Sequence, residues 1–458
     1  MKDSTRHDNH VAAATRRSFL KTGAGVAGGL ILPASYSTLA YAEEKEYPAL
    51  GNYPAGVEGD KVVVGLTLDL TGPYSAEGAG QQRGFELAAE MINNGDERIR
   101  KVSPLTTEGI LGKRVELAIG DAETKPNSAV QAATRFLRQD KAMMIAGSVS
   151  SSVAIALQNT AERAKTPYFS VISGSSDTTG KDCRRYGFRL SLHAYQIAKA
   201  LAPVLVDLYG KDMKAIYLVP DYNWGYSMHD YMRKFTEELG WTTIDNAQIH
   251  PLGATDYSSY MLNVANSGAD ILINTDYGAD TVNSAKQAHE FGVLKNMEMC
   301  IPYIPAYMLE EVGPEIMHGV TGTIDFWWSA AEEFEVGRDF NEAYKEKFGA
   351  LPRNPEQNAY MTLLLWADAV ERAGTFYPAA VVEALEDSVN HKRPYTMGGE
   401  AYFRAEDHDG AADFAVIRGK APDEIDDEDN LVDVVAIVSG EESLPPVGYA
   451  GCEMAPAV

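Results

Sequence analysis

Apolar residues recur along this chain in two alternating rhythms. Short unbroken runs, such as Val62-Val63-Val64-Gly65-Leu66 and Met143-Met144-Ile145-Ala146, suit strands buried on both faces of a parallel sheet. Between them lie stretches with a single apolar stripe at helical spacing. Phe85, Ala88, Ala89 and Ile92 mark a helix from about Gln81, ended by Asn93-Asn94-Gly95. Strands are predicted at 114–119 and 167–172, a helix capped by Asn127 and carrying Val130, Ala133 and Leu137, and a helix at 153–163. A second block repeats the rhythm. Helices at 195–208, 227–239, 257–265 and 281–291 lead to strands at 215–219, 242–248, 270–274 and 298–301. Helices at 338–348, 359–373 and 378–385 follow, then short strands at 401–403, 414–417 and 431–438. Strand–helix alternation over two blocks predicts an α/β protein built from two doubly wound parallel-sheet domains. A length of 458 residues agrees, since one core rarely serves more than roughly 250–300.

The first 42 residues break this pattern. Thr15-Arg16-Arg17-Ser18-Phe19-Leu20-Lys21 precedes a Gly- and Ala-rich apolar stretch at 22–32, and Ala40-Tyr41-Ala42 is a small-x-small cleavage signature. This is the layout of an export signal, and the arginine pair before Phe-Leu-Lys resembles a twin-arginine signal. The apolar stretch is too short and Gly-rich to span a bilayer. Two motifs inside it, Gly23-x-Gly25-x-x-Gly28 and Ser18-x-x-Lys21, lack the strand and helix context their chemistry needs. The mature chain is expected to begin near Glu43, to reach the periplasm already folded and to span no membrane.

Charge sharpens the partner classes. The chain carries 65 Asp+Glu against 40 Lys+Arg, a net −25. Without the leader 63 acids face 35 bases, a balance of −28 over 416 residues. Nucleic acid and anionic membrane surfaces require clustered positive charge and are excluded as partners. Of three cysteines, Cys300 sits in an apolar run, whereas Cys183 and Cys452 lie in loop-like sequence and are the better disulfide pair. No Cys or His pair has metal-ligand spacing, and Asp407-His408-Asp409-Gly410 lacks the spacing of a calcium loop. No cofactor is expected. The nine histidines form no cluster and no nucleophile set emerges from spacing, so catalysis is not expected either.

In doubly wound sheets, ligands bind beyond the carboxyl ends of strands. There the first block carries Gly72-Pro73-Tyr74-Ser75-Ala76-Glu77, Gly147-Ser148-Val149-Ser150-Ser151-Ser152 and Ser173-Gly174-Ser175. The second carries Asp221-Tyr222-Asn223-Trp224-Gly225, Thr275-Asp276-Tyr277-Gly278 and Pro302-Tyr303. Hydroxyls at helix starts favour a carboxylate or carbonyl, and rings close over apolar or cationic parts of a ligand. Taken singly, such serines are usually helix caps. Their recurrence at strand ends of both blocks points to a binding cleft.

These motifs, with Gly84-Phe85-Glu86-Leu87-Ala88 and Asn358-Ala359-Tyr360, resemble in order the leucine/isoleucine/valine-type solute-binding proteins of ABC importers. The resemblance implies a monomeric two-lobed protein with a three-crossing hinge that closes on a small molecule and is recognised by membrane permease subunits. It implies one lobe at 59–192 plus 327–410 and another at 193–326 plus 411–458. By the family pattern Ser150, Ser151 and Ser152 hold a ligand carboxylate. Ser173 and Ser175 add contacts, while Tyr74, Trp224 and Tyr277 supply rings. Two positions depart: Tyr303 stands where an acid often meets the ligand ammonium, and Glu77 where an aromatic or polar residue is usual. Glu77, Asp276 or Asp221 could replace the missing acid, or the ligand lacks an amine. Aliphatic, aromatic or cationic amino acids, amines, aromatic acids, amides and urea-like molecules all stay open. A ligand-sensing module of a receptor system is the alternative to transport.

Overall fold

The computed structural model describes residue 57 and residues 59–454, except 426 and 428; the export signal at 1–42 lies outside the described residues. Five strands form a wholly parallel sheet: β1 (Lys61–Leu68), β2 (Arg114–Asp121), β3 (Met144–Gly147), β4 (Tyr168–Ser170) and β5 (Gly187–Arg189). Their order is β2-β1-β3-β4-β5. Val62, Val64, Leu66 and Leu68 on one face of β1 and Gly65 and Thr67 on the other are buried, as a strand covered on both faces requires. Helices α1 (Ser75–Asn94), α2 (Pro126–Arg135) and α3 (Ser151–Ala164) connect these strands.

The second sheet holds β6 (Lys214–Pro220), β7 (Thr242–Thr243), β8 (Gln248–His250), β9 (Ile271–Asn274), β10 (Glu298–Tyr303) and β11 (Thr321–Ile324). These strands run parallel; Phe414–Gly419 adds antiparallel to the β11 edge, and Val432–Val438 pairs antiparallel with Phe414–Gly419. Its connections include α4 (Ala194–Tyr209), α5 (Asn223–Glu238), α6 (Ser258–Ala265), α7 (Ala279–Glu290) and α8 (Ala306–Val312). The chain passes between the two bodies three times: from β5 into α4, from β11 back to the helices that pack on α1, and from residue 411 into the strand Phe414–Gly419. The helix Asn354–Ala373 lies tightly on α1. A Cβ on Gly84 would meet the Glu356 carbonyl oxygen at 2.1 Å, so only glycine allows this approach.

Several boundaries depart from the sequence pattern, each for a local reason. Helix α1 starts at Ser75, as soon as the Gly72-Pro73 turn ends, rather than at Gln81. Asn127 is not a cap: α2 starts at Pro126, whose missing N–H needs no partner in the first turn. The strand predicted at 242–248 is two pieces, both paired to β6, interrupted around the turn-forming Asp245-Asn246. Cys183 and Cys452 are bonded across 269 residues and Cys300 is buried and free, as the sequence suggested. Among the described residues no helix is long and apolar enough to cross a membrane.

Candidate ligand site between the two sheets

The segments that follow β1, β3 and β4 meet those that follow β6, β9 and β10. Val149, Ile172 and Gly174 from the first body and Tyr222, Trp224, Tyr277 and Tyr303 from the second line a pocket. The rings nearly fill the pocket, leaving room for about one water. Tyr277 and Tyr303 stack at 5.4 Å and 20°, and Trp224 stands at 6.3 Å and 6.2 Å from them. Trp224 donates its indole N–H to the Thr275 carbonyl at 2.9 Å, which fixes the ring. Gly174 makes room for it, since a Cβ there would lie 2.4 Å from Trp224 Cζ3.

Of the residues the sequence singled out, Trp224, Tyr277 and Tyr303 line this pocket directly. Tyr74 packs edge-on against Tyr277 at 5.7 Å, and its hydroxyl meets that of Tyr222 at 2.6 Å. The serines sit just behind. Ser150 is the N-cap residue of α3, without a side-chain capping bond. Ser151 Oγ accepts the Ser175 N–H at 3.1 Å, and Ser175 Oγ accepts the Asp177 N–H at 3.3 Å. Ser173 pairs with Ser170, and Ser152 donates to Asn223 Oδ1 at 2.9 Å, reaching the second body. The serine hydroxyls thus shape the loops, while their neighbours Val149, Ile172 and Gly174 face the pocket.

Asp69 at the end of β1 ties these loops together. Its carboxylate accepts the N–H groups of Val149 and Thr124, both at 2.8 Å. Burial nevertheless pushes its pKa up to about 6.

The acids differ in what they can offer. Asp221 is exposed and accepts the Tyr226 hydroxyl. Asp276 is buried but faces His250 Nε2 at 2.6 Å. Its neighbour Asp280 is pushed up to about 7 by burial and by the Asp276 charge. Glu77, in the first turn of α1, is fully buried and accepts the Tyr307 hydroxyl through Oε1. Burial pushes its pKa up to about 8, outweighing that hydrogen bond. Asp325 accepts from Asn358 Nδ2 at 2.6 Å, and Asn354 Nδ2 donates to Tyr303 Oη at 3.2 Å. Among the described residues no group of His, Cys, Asp and Glu is arranged to hold a metal.

Sequence reasoning passed over Val149, Ile172, Gly174, Tyr222 and Tyr307. Val149, Gly174 and Tyr222 lie in strand-end runs already highlighted and Ile172 ends the strand predicted at 167–172, so position was a usable signal. Tyr307 lies inside α8, and nothing in its local pattern marks it.

Comparison with known proteins places this geometry. The sequence profile described as "Periplasmic binding protein" matches residues 61–424. The Leu/Ile/Val-binding protein homolog 7 of Brucella melitensis is 27% identical over 348 residues, covering 73% of this chain and 82% of that protein. The amino acid ABC transporter substrate-binding protein of Pseudomonas fluorescens Pf-5 superposes with a TM-score of 0.76 at 23% identity, over 86% of this chain and 99% of its own. A solute-binding protein of an ABC transporter from Rhodopseudomonas palustris BisB5, solved with 3,4-dihydroxy benzoic acid, superposes at 0.70 with 20% identity, over 83% and 98%. A profile match over most of the chain, on two parallel sheets joined by three crossings with a ring-lined pocket between them, makes this chain a member of the periplasmic binding protein family.

Proposed function

We propose that the chain is the exported solute-binding component of an ABC importer, and that it carries an amino-acid-like or other small carboxylate or amide ligand to a membrane permease. The ligand sits between a lobe of residues 59–192 plus 327–410 and a lobe of 193–326 plus 411–458. The observation that carries this reading is the ring cluster drawn from strand ends of both bodies around one pocket. Tyr74, Trp224, Tyr277 and Tyr303 grip its body. The start of α3 with Ser150, Ser151 and Ser152, and the loop with Ser173 and Ser175, receive its carboxylate or carbonyl. Relatives whose names refer to Leu/Ile/Val binding and to an aromatic acid support this class of ligand. No chemistry is performed on the ligand; it shifts an open–closed equilibrium whose closed form the permease reads. The arginine pair directs the monomeric protein to the periplasm through the twin-arginine route.

The test is a thermal-shift screen with small-angle scattering on the mature protein, against pools of amino acids, amides and aromatic acids. A ligand is expected to raise the melting temperature and compact the particle. No response to any pool contradicts the reading.

A further inference from the structure

Beyond the strand Val432–Val438 the chain continues as a tail that touches the two bodies in turn. The short helix Gly440–Ser443 lies against α4 of the second body. Gln196 Nε2 donates to Ser443 Oγ at 3.1 Å, and Lys199 Nζ donates to the Glu442 carbonyl at 2.7 Å. Leu444 then packs with Tyr402 and Ala411, and Arg404 donates to the Pro445 carbonyl at 2.7 Å. These contacts lie on the first body, because the adjoining Phe403 packs on Phe169 of β4 and Phe188 of β5. Tyr449 turns back to the second body. Its ring stands edge-on to Tyr195 of α4 at 5.0 Å and 6.3 Å from Tyr231 of α5. Three residues later Cys452 is bonded to Cys183, in the loop between β4 and β5 of the first body.

Both elements that the tail joins lead to the pocket. The loop that ends at Cys183 carries Gly174, which lines the pocket. The tail packs closely on this loop: a Cβ on Gly180 would lie 2.6 Å from the Ala450 carbonyl oxygen. Helix α5 carries Trp224 in its first turn and Tyr231 two turns further on, so both lie on one side of the helix. Between these ends, the Ser176 N–H donates to Ser227 Oγ at 3.1 Å, joining loop to helix. The tail thus spans the same two elements that meet as Gly174 and Trp224. Leu444 and Cys452 are both held on the first body, so the Tyr449 ring is presented to the second on a short tether. Tethering raises the effective concentration of a contact that would be weak between free partners.

We propose that the C-terminal tail is a latch between the two bodies. The Cys183–Cys452 bond holds Tyr449 on the first body, and the seat of its ring on Tyr195 and Tyr231 keeps the Gly174 loop against the Trp224 helix. The latch biases the open–closed equilibrium toward the closed form. This goes beyond the solute-binding reading, does not depend on which solute binds, and is tested without one.

The test measures acrylamide quenching of Trp224 in the ligand-free mature protein, each form corrected with its own Trp224→Phe counterpart. Small-angle scattering reads the opening of the particle. Tyr449→Ala keeps the disulfide and removes the ring. It is expected to raise Trp224 quenching about twofold or more and to enlarge the radius of gyration. Tyr449→Phe keeps the ring and should match the parent. Cys183→Ser with Cys452→Ser frees the tail and should open the protein at least as far as Tyr449→Ala. A lower melting temperature with Trp224 as shielded as in the parent means that the tail only stabilises the fold, and overturns the proposal. Equal opening in Tyr449→Phe and Tyr449→Ala overturns it too. Should the double serine variant fail to fold, the two Tyr449 variants decide.

Discussion

The hydroxyls of Tyr74 and Tyr222 meet at 2.6 Å, joining the loop after β1 to the start of α5 across the cleft. Their partners extend the contact. Tyr74 leans on Tyr277, and Tyr307 donates to Glu77. The two bodies therefore close through phenols and one carboxyl beside the pocket, and closure and ligand contact share the same side chains.

Tyr222→Phe removes the hydroxyl pair and keeps the ring. Loss of one such bond, with a buried partner left behind, costs about 1–3 kcal/mol. Because the bond exists only when the lobes meet, the cost should appear as weaker ligand binding. A fall in affinity of about fivefold or more, with little change in unfolding of the ligand-free protein, is expected by calorimetry. Equal affinity in variant and parent means the contact does not report closure.

Gly174→Ala tests the fit of Trp224. The added methyl carbon would lie 2.4 Å from the indole, so the ring must swing into the pocket or out of it. Gly174 is not among the positive-φ glycines, so the backbone itself tolerates alanine. Binding should fall at least tenfold while the fold persists. Intrinsic fluorescence and affinity together check this, and an unmoved Trp signal with full affinity contradicts it.

Glu77 should make the ligand-free protein pH-sensitive. An unfolded glutamate titrates near ~4.3, whereas burial raises Glu77 to about 8. The folded state thus holds the proton more tightly. The stabilisation from this is complete below about 4.3 and is lost as pH climbs from there to about 8. Glu77→Gln removes the ionisable group and keeps an acceptor for Tyr307. In urea the variant should be more stable than the parent at pH 8, on the order of 1–3 kcal/mol, with the gap closing toward pH ~4.5. A variant less stable at pH 8 refutes the assignment.

Arg189 and Asp409 form a fully buried ion pair at 3.0 Å, linking the first and third crossings. His193 Nε2 adds a second contact to Asp409 at 2.9 Å. Burial alone would raise the Asp409 carboxyl, but His193 and Arg189 outweigh it and hold it well below the usual range. Arg189 also donates to the Ser175 carbonyl, so the pair props a loop at the site. Asp409→Asn leaves a buried guanidinium without its counter-charge and should cost about 3–5 kcal/mol in urea unfolding. A cost below ~1 kcal/mol contradicts the pairing.

What could be read from the sequence follows from how local each signal is. The run Val62 to Leu66 announces a doubly covered strand because every residue in it is apolar. Trp224, Tyr277 and Tyr303 were found because a strand end fixes where a side chain must go. The strand β5 was missed because three residues show no period. The Arg189–Asp409 pair joins positions 220 apart, and Tyr307 reaches Glu77 over 230, so neither leaves a local trace. The roles of the serines shifted for a related reason. Spacing placed them at the cleft, but only packing reveals that Ser151 turns its hydroxyl toward the Ser175 loop while Ser175 caps its own loop at Asp177.

The central claim is that the ring-lined pocket between the sheets is where the ligand binds. Native mass spectrometry of the mature protein purified from its own host identifies a retained ligand. Calorimetry then measures that ligand's affinity for the parent and for Trp224→Ala and Tyr277→Ala. Each substitution is expected to weaken binding by about 1–3 kcal/mol, roughly five- to 150-fold, with circular dichroism unchanged. Unchanged affinity in both folded variants would contradict the claim and move the site elsewhere.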